Sequence, residues 1–380
     1  MDFSKLREFQ DYLANWRIPG NDCSVFIGGE EVYRHMAGYS DVDRKLKMCG
    51  SELYFFWSAS KMITTSLALR LFEEGRFRLT DPLSEYIPEF KHMTVSQTVN
   101  GKEEILPASR EIEIRHLFNM TAGFDYNFNT SHINELRRIT ENKCTALDVA
   151  RAIAKSPLKF EPGERWSYSL CHDVLGALIE TLSGKRLRDY AREVLFSPLL
   201  MSDTSYNLPS ESKMQRMAPQ YVWRDDLDKH IPTQKACNHI LGSEYDSGGA
   251  GIISSCDDFV AFASCIACGG TAKNGYRYLS PETIELWRTN TLTEEMIGQV
   301  SATFPQLCGY GYGLGVRTML FPEKCGSSSP RGEFGWDGAG GVTVIIDTDR
   351  KLALVYTQHM LESQQEFFFP KLRNALYESI

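Results

Sequence analysis

The chain has 380 residues, of which 42% are hydrophobic, 24% charged and 12% aromatic, an ordinary composition for a globular protein. This length is enough for one large domain or two lobes around a substantial core. The net charge of −8 is not interrupted by any block of Lys and Arg, which argues against a nucleic-acid or anionic-membrane partner.

The sequence shows no targeting or membrane signal. Residues 1–8 are charged and lack the apolar core of a signal peptide. The longest strongly apolar stretch, residues 259–268, is far shorter than the roughly 20 residues that span a bilayer. Ten irregularly spaced cysteines are typical of reduced thiols, and Cys265 and Cys268 lie in an apolar helical pattern that favours burial over metal or redox chemistry. The sequence therefore predicts a cytoplasmic protein.

The predicted elements begin with an amphipathic helix over residues 3–16. Strands over 23–28 and 31–39 follow, and Gly28-Gly29 between them is a hairpin signal. The last third of the chain predicts further strands and a closing helix, over residues 332–338, 342–347, 352–358 and 363–380.

The middle of the chain, about residues 61–284, has a mostly helical pattern broken by Pro and Gly turns. Strands at both ends with helices between them predict an α+β fold. We expect an antiparallel sheet built from both chain ends, flanked by terminal helices, with an inserted helical region. In this single domain, residues 1–60 and 285–380 would form an α/β lobe and residues 61–284 an all-helical lobe. A cleft between lobes is a common location for a site.

The segment Ser58-Ala59-Ser60-Lys61 places a hydroxyl and an amine one helical turn apart on the same face. A serine hydroxyl is a poor nucleophile until a neighbouring group takes its proton, so the pair is a candidate for covalent catalysis. The same spacing recurs at Ser156–Lys159, where a proline follows the serine, and at Ser210–Lys213, in a polar loop pattern. An N-cap serine beside a structural lysine is the alternative interpretation of Ser58.

The context of Ser58 favours catalysis. An apolar helix follows, with Ile63, Leu67 and Leu71 at i, i+4 and i+8. The N-terminal end of such a helix favours developing negative charge. We expect Lys61 to be drawn into the protein, where burial lowers the pKa of a lysine and helps it to accept a proton.

Two later clusters are candidates to complete the site. Tyr168 precedes a second apolar helix, where its phenol either projects into a cleft or satisfies its hydroxyl at an interface. The run Phe334–Gly341 is rich in glycine, so its backbone can approach a ligand closely and present N–H groups to it. A plain hairpin with a bulge is the alternative for this run.

Taken in order, these clusters resemble the serine β-lactamase-like family: class C β-lactamases, penicillin-binding DD-peptidases and, most like this chain, related carboxylesterases. The resemblance extends over nearly the whole chain and includes ordered matches at residues 71–88, 114–123, 198–204 and 247–259. It implies the β-lactamase/transpeptidase-like fold.

The resemblance also implies roles for individual residues. Ser58 is then the acylated nucleophile, Lys61 its proton-transfer partner, and Tyr168 the general base and later the general acid. A nearby ammonium favours the phenolate form of that tyrosine, which makes the assignment physically coherent. The backbone N–H groups of Ser58 and Ala339 are the expected oxyanion hole.

Two departures from the family pattern favour esters over penicillins. The family's Tyr-x-Asn motif reads Tyr168-Ser169-Leu170, and Leu170 cannot hydrogen-bond an acylamino side chain. The lysine that normally opens the third motif is missing from Trp336-Asp337-Gly338. Trp336 carries no charge, and Asp337 would repel a substrate carboxylate if it faced the site. We expect the substrate to contact Trp336, Asp337, Gly338, Leu170 and Tyr126.

The sequence therefore predicts a serine hydrolase that cleaves small carboxylic esters through an acyl-serine intermediate. Acyl transfer, weak β-lactamase or D-amino-acid peptidase activity, and a penicillin-binding or sensing protein acylated without turnover are the alternatives. His172 either approaches the cleft or packs its helix. No metal or organic cofactor is predicted because the His residues are scattered, and the expected partner is a small ester or amide. The sequence gives no oligomeric state.

Overall fold

The computed structural model describes residues 1–206, 210–233 and 241–380. In these ranges the α-helices are α1 (Ser4–Trp16), α2 (Ser60–Glu73), α3 (Ile114–Phe118), α4 (Ser131–Ile139), α5 (Ala146–Ile153), α6 (Cys171–Ser183), α7 (Leu187–Ala191), α8 (Glu211–Met214), α9 (Cys256–Ala267), α10 (Pro281–Arg288), α11 (Glu294–Thr303) and α12 (Gln365–Tyr377). The strands are β1 (Gly20–Ile27), β2 (Glu30–Asp41), β3 (Leu46–Lys47), β4 (Tyr54–Phe55), β5 (Thr94–Val99), β6 (Lys102–Pro107), β7 (Ser205–Tyr206), β8 (Tyr221–Arg224), β9 (Lys229–Pro232), β10 (Ile252–Ser254), β11 (Tyr310–Tyr312), β12 (Arg317–Met319), β13 (Phe334–Gly335), β14 (Thr343–Asp347) and β15 (Leu352–Gln358).

The largest sheet of the described residues is antiparallel and has eight strands in the order β11-β12-β13-β14-β15-β1-β2-β3. Strand β1 pairs with β15 in a register that runs from Asn21–Gln358 to Ile27–Leu352. The two ends of the chain therefore meet in the middle of the sheet. This confirms the predicted α+β fold.

Helices cover both faces of the sheet. Neighbouring residues of a strand point to opposite sides, so one strand can contact a helix on each face. On β2, the Tyr33 hydroxyl donates to Gln10 of α1, whereas Arg34 pairs with Asp257 of α9. Helix α12 also packs with α1, and the ring of its Phe368 contacts Tyr356. Helix α9 thus packs on the sheet although it lies in the segment predicted as the helical lobe. The division into lobes remains a prediction, from which the packing departs at α9. The segment 61–284 is also not all-helical as predicted, because it contains the hairpins β5–β6 and β8–β9.

The strands β11, β12 and β13 differ from the prediction. The first two were not expected, because Tyr310-Gly311-Tyr312 gives a weak strand pattern. The predicted strand over 332–338 is reduced to β13 and one isolated bridge between Asp337 and Thr343. Beyond β13 the chain instead runs along the turn that carries Ser58.

The expectations about cysteines and membrane-spanning helices can be compared with the structure within the described ranges. Their cysteines are free thiols, among them Cys265, which is buried, and Cys268, which is partly exposed; Cys237 lies outside those ranges. In the same part of the chain, no helix has both the length and the apolar character needed to cross a bilayer.

The pairing of β15 with β1 and β14 predicts that this strand dominates stability. Leu354 is fully buried and lies between Val25 and Ile345. Leu354→Ala is expected to lower the free energy of unfolding by about 2–5 kcal/mol, because it leaves a cavity in a tightly packed layer. Leu46→Ala on edge strand β3, where the side chain is half exposed, is the matched control. Urea unfolding measures both, and equal losses would contradict the prediction.

Candidate active site

Ser58 lies on a 3₁₀ turn, Trp57–Ala59, between β4 and the buried helix α2. Strand β4 pairs with β10, and the Ser60 hydroxyl accepts the Ile252 N–H at 3.0 Å. Immediately before the turn, the Phe56 ring stacks on that of Phe259 with centroids 4.4 Å apart. The nucleophile candidate therefore sits on a junction that is fixed on both sides.

Lys61 lies in the first turn of α2 and has no exposed surface. Its Nζ donates to the Gly249 carbonyl at 2.7 Å and to Ser58 Oγ at 3.3 Å. The same atom lies 4.6 Å from the centroid of the Tyr168 ring and 5.5 Å from that of Tyr126. The structure thus brings a buried ammonium against the serine and two phenols.

The electrostatics of Lys61 differ from the expectation. Burial acts to lower the pKa of Lys61, but Tyr126, Tyr168 and Asp173 act in the opposite direction and raise the pKa to about 12. The predicted lowering of this pKa is therefore wrong. A lysine with this pKa is an ammonium at neutral pH, and it donates hydrogen bonds to Gly249 and Ser58.

Tyr168 lies in the loop that leads into α6. The backbone N–H of the preceding Ser167 donates to the Met120 carbonyl at 3.0 Å, which anchors the loop. The Tyr168 ring stacks between two others, with centroid distances of 5.4 Å to Tyr126 and 5.9 Å to Trp336. Stacked and edge contacts of this kind fix the plane of the ring.

Tyr126 also lies beside the lysine that contacts the nucleophile. The residue is 40% exposed, but its ring centroid lies 5.5 Å from Lys61 Nζ. Burial of the inner part of the side chain raises the pKa of Tyr126 to about 12, although the Lys61 ammonium opposes the shift. Two phenols therefore lie beside Lys61 near Ser58, whereas the sequence suggested Tyr168 as the base and Tyr126 as a substrate contact.

The glycine-rich run after β13 lies against the turn of Ser58. A β-carbon on Gly338 would be 2.3 Å from the Phe56 carbonyl oxygen, so only glycine permits this approach. The Gln365 side-chain amide of α12 donates to the Gly338 carbonyl at 3.0 Å. Ala339, next along the run, lines the same cavity as Ser58. The two residues expected to form the oxyanion hole thus border one space.

That cavity has a volume of about 220 Å³. It is lined mainly by aromatic, apolar and amide groups, from Ser58, Tyr168, Phe304, Gln306, Leu307, Trp336, Asp337, Gly338, Ala339 and Gln365. The residues at 304–307 and Gln365 carry no sequence signal, because a connecting turn and a helix start reach the site only in three dimensions. The Phe304 ring meets Tyr168 edge-on at 5.3 Å.

Asp337 borders the cavity, but its charge is directed into the core. Its Oδ2 accepts from Nη1 of the fully buried Arg317 at 2.9 Å, and Arg317 also donates to the Val344 carbonyl at 2.9 Å. Burial raises the pKa of Asp337, and Arg317 acts against this rise. The expected repulsion of a carboxylate is therefore weakened by a paired cation.

Leu170 does not take the predicted place in the substrate site. It is only 2% exposed, caps the N-terminus of α6, and its N–H donates to the Asp125 carbonyl at 3.3 Å. It does not line the cavity of Ser58. Its apolar side chain instead packs into the hydrophobic core.

His172 belongs to helix packing, the second of its two expected roles. It is fully buried, and its Nε2–H donates to the Phe118 carbonyl at 3.0 Å. Burial lowers the pKa of His172 to about 3, so the ring is neutral. In the described ranges, no group of three or more His, Cys, Asp or Glu side chains is arranged to hold a metal ion.

The lysines of the other two Ser-x-x-Lys motifs form ion pairs away from the cavity of Ser58. Lys159 is exposed and pairs with Asp125 at 3.2 Å, and Lys213 pairs with Asp203 at 3.3 Å. Ser210 is exposed at the start of α8. Only the spacing at Ser58 combines a buried lysine with a cavity among the three.

Comparison with known proteins identifies relatives that are similar to this chain over most of its length. Protein Rv1367c of Mycobacterium tuberculosis (strain ATCC 25618 / H37Rv) is 30% identical over 328 residues, which cover 84% of this chain and 80% of that protein. Esterase EstB of Burkholderia gladioli is 25% identical over 393 residues, covering 97% and 93%. The solved structure of EstCE1, a hydrolase with promiscuous acyltransferase activity, has a TM-score of 0.80 at 22% identity and covers 98% of this chain and 97% of that one, which shows a shared fold.

The family resemblance inferred from the motifs is confirmed by a match to a whole family. The family model described as Beta-lactamase matches residues 7–376, a span that includes Ser58, Tyr168 and the glycine-rich run after β13. This chain therefore belongs to the beta-lactamase family.

Proposed function

We propose that this protein is a serine hydrolase that cleaves small carboxylic esters through an acyl-Ser58 intermediate. The observation that carries the proposal is the convergence of the Ser58 hydroxyl, the Lys61 ammonium and the Tyr168 phenol beside one aromatic cavity. Membership of the beta-lactamase family supports the hydrolase class. Similarity to Esterase EstB over 97% of the chain supports an ester as the substrate.

In the first half-reaction, Ser58 Oγ attacks the ester carbonyl carbon while the Tyr168 phenolate takes the serine proton. The Lys61 ammonium stabilises the phenolate electrostatically. The N–H groups of Ser58 and Ala339 receive the negative carbonyl oxygen. The tetrahedral intermediate then expels the alkoxide, which takes the proton from Tyr168. Water attacks the acyl-Ser58 ester by the same steps and releases the acid.

The cavity favours esters with a small apolar acyl group. Its volume of about 220 Å³ is below the roughly 300–1,000 Å³ of pockets for drug-sized ligands. Among the described residues that line it, none is a cation that could bind a penicillin carboxylate: Trp336 is uncharged, and the neighbouring Arg317 is committed to Asp337. The free thiols of the described ranges support a reducing compartment such as the cytoplasm as the place of the reaction.

The first prediction from the proposed function concerns the nucleophile. Ser58→Ala is expected to lower the turnover of p-nitrophenyl acetate at least about 10³-fold and to abolish labelling by a fluorophosphonate, because the acyl group then has no acceptor. Ser210→Ala removes an exposed serine of identical spacing and is the matched control. Equal labelling of Ser58→Ala and wild type would contradict the proposal.

A second prediction separates the two phenols. Tyr168→Phe is expected to lower kcat/KM by about 10²–10⁴-fold, the usual contribution of a general base. Tyr126→Phe removes the hydroxyl of a ring that neighbours Lys61 and is expected to cost about 2–10-fold, the usual worth of one hydrogen-bonding group. Steady-state kinetics with an acetyl ester measures both variants. A larger loss in Tyr126→Phe than in Tyr168→Phe would transfer the role of base to Tyr126.

A third prediction concerns acyl-chain preference. Phe304→Ala is expected to enlarge the cavity, so kcat/KM for hexanoyl relative to acetyl esters rises by about 4-fold for each methylene newly buried. Phe367→Ala, which removes a partly buried ring that contacts Trp16 and does not line the cavity, is the control. An unchanged chain-length profile in Phe304→Ala would show that the acyl group does not occupy this cavity.

A further inference from the structure

A buried carboxylate with an unused oxygen lies close to the catalytic cluster. Asp173, in the first turn of α6, is only 3% exposed. Its Oδ1 accepts hydrogen bonds from the Tyr245 hydroxyl at 2.6 Å, the Ser247 hydroxyl at 2.7 Å and the Gly249 N–H at 3.3 Å. Within the described ranges, no group donates a hydrogen bond to Oδ2. A buried anion of this kind is costly unless a cation lies nearby.

Gly249 connects that carboxylate to Lys61. The N–H of Gly249 donates to Asp173, and the carbonyl of the same residue accepts from Lys61 Nζ at 2.7 Å. A β-carbon on Gly249 would lie 2.5 Å from Asp173 Oδ2 and 3.4 Å from Lys61 Nζ. Both charged atoms therefore border the small space that glycine leaves open, and they are no further apart than the sum of these two distances.

We propose that Asp173 is the counter-ion and positioning residue of Lys61, holding its ammonium charged and in place beside Ser58 through the Gly249 peptide. Asp173 contacts neither the cavity nor the reacting atoms, so it acts through Lys61. The inference deepens the proposed function and rests on it for the catalytic consequence. The charge pairing itself can be measured without any substrate.

Asp173 is the carboxylate that acts on Lys61, together with the phenols of Tyr126 and Tyr168, which also raise the pKa of Lys61. An opposite charge within about 4–6 Å typically shifts a pKa by about 1–3 pH units. His172 is neutral, and Asp246 is paired with Arg188 at 2.8 Å. The titratable or charged groups that face Lys61 or Asp173 come from α6, β7 and the loops around them: Tyr126, Tyr168, Cys171, His172, Tyr206, Tyr245 and Asp246.

The test is an NMR titration of Lys61 in protein labelled with ¹³C at the lysine Cε, with the resonance assigned by its loss in Lys61→Arg. The pKa of Lys61 of about 12 means that the wild-type ammonium persists up to pH 11. In Asp173→Asn the amide oxygen can keep the bonds of Oδ1 while the charge is lost. The midpoint is then expected to fall by about 1–3 pH units, into the range of about pH 9–11.

Asp258→Asn is the matched control, because Asp258 is also a buried carboxylate and accepts from Thr204 at 2.9 Å on another part of the fold. It is expected to leave the Lys61 midpoint unchanged. An unchanged midpoint in Asp173→Asn would overturn the inference. If Asp173→Asn does not fold, the same NMR titration of Gly249→Ala tests the inference. Its methyl group displaces the carboxylate, so a smaller shift in the same direction supports the pairing and no shift overturns it.

The pH dependence of kcat/KM provides a second measurement, which would not change in the same way if Asp173 had only a structural role. In Asp173→Asn, kcat/KM for an acetyl ester is expected to fall above pH 9 with the same midpoint as the Lys61 titration, whereas wild type keeps its activity there. A general weakening of the fold would lower the rate equally at every pH. If the protein hydrolyses no ester, the NMR titration still tests Asp173, so failure of the proposed function and failure of the pairing are distinguishable.

Discussion

The site is organised around an ammonium that has been removed from water. Desolvating such a group costs several kcal/mol even after relaxation, so its neighbours must stabilise it. For Lys61 these neighbours are a carbonyl, a serine hydroxyl and two aromatic rings. They come from the turn before α2, from the loops before α4 and α6, and from the segment before β10. None of these segments can shift without weakening the environment of the charge, and Ser58 is held in register by the same contacts.

A buried ion pair supports the opposite wall. Arg317 on β12 neutralises Asp337 and donates to the Val344 carbonyl, so it connects β12 and β14 with the segment that leaves β13. The glycine-rich run beyond it approaches the turn of Ser58 as closely as a backbone can. The charged pair thus faces the core behind the wall, and the surface toward the cavity consists mainly of aromatic, apolar and amide groups. This separation suits a reaction in which charge develops only at the carbonyl oxygen.

Features that depend on residues close together in the sequence could be predicted, whereas features that depend on residues far apart in the sequence could not. The spacing of Ser58 and Lys61 is a local property of a helix, and the sheet from both chain ends followed from alternating patterns. The pKa of Lys61 was predicted in the wrong direction because its neighbours are distant in sequence: Tyr126, Tyr168 and Asp173 act together only in the fold. Asp173 itself reads as an ordinary acidic residue in the first turn of a helix. Phe304 and Leu170 show the same limit, since burial and cavity lining depend on how loops pack.

The joining of both chain ends in one sheet has a consequence for the order of folding during synthesis. The Asp22–Thr357 pair of β1 and β15 is separated by 335 residues. At about 5–20 residues per second, the ribosome needs on the order of tens of seconds to deliver the partner of β1. During that interval the β1–β2 hairpin has an unpaired edge, which is open to association with other chains. The helices around Ser58 are made in the same interval from contacts that are closer in sequence, so the nucleophile is built before the wall that completes its cavity.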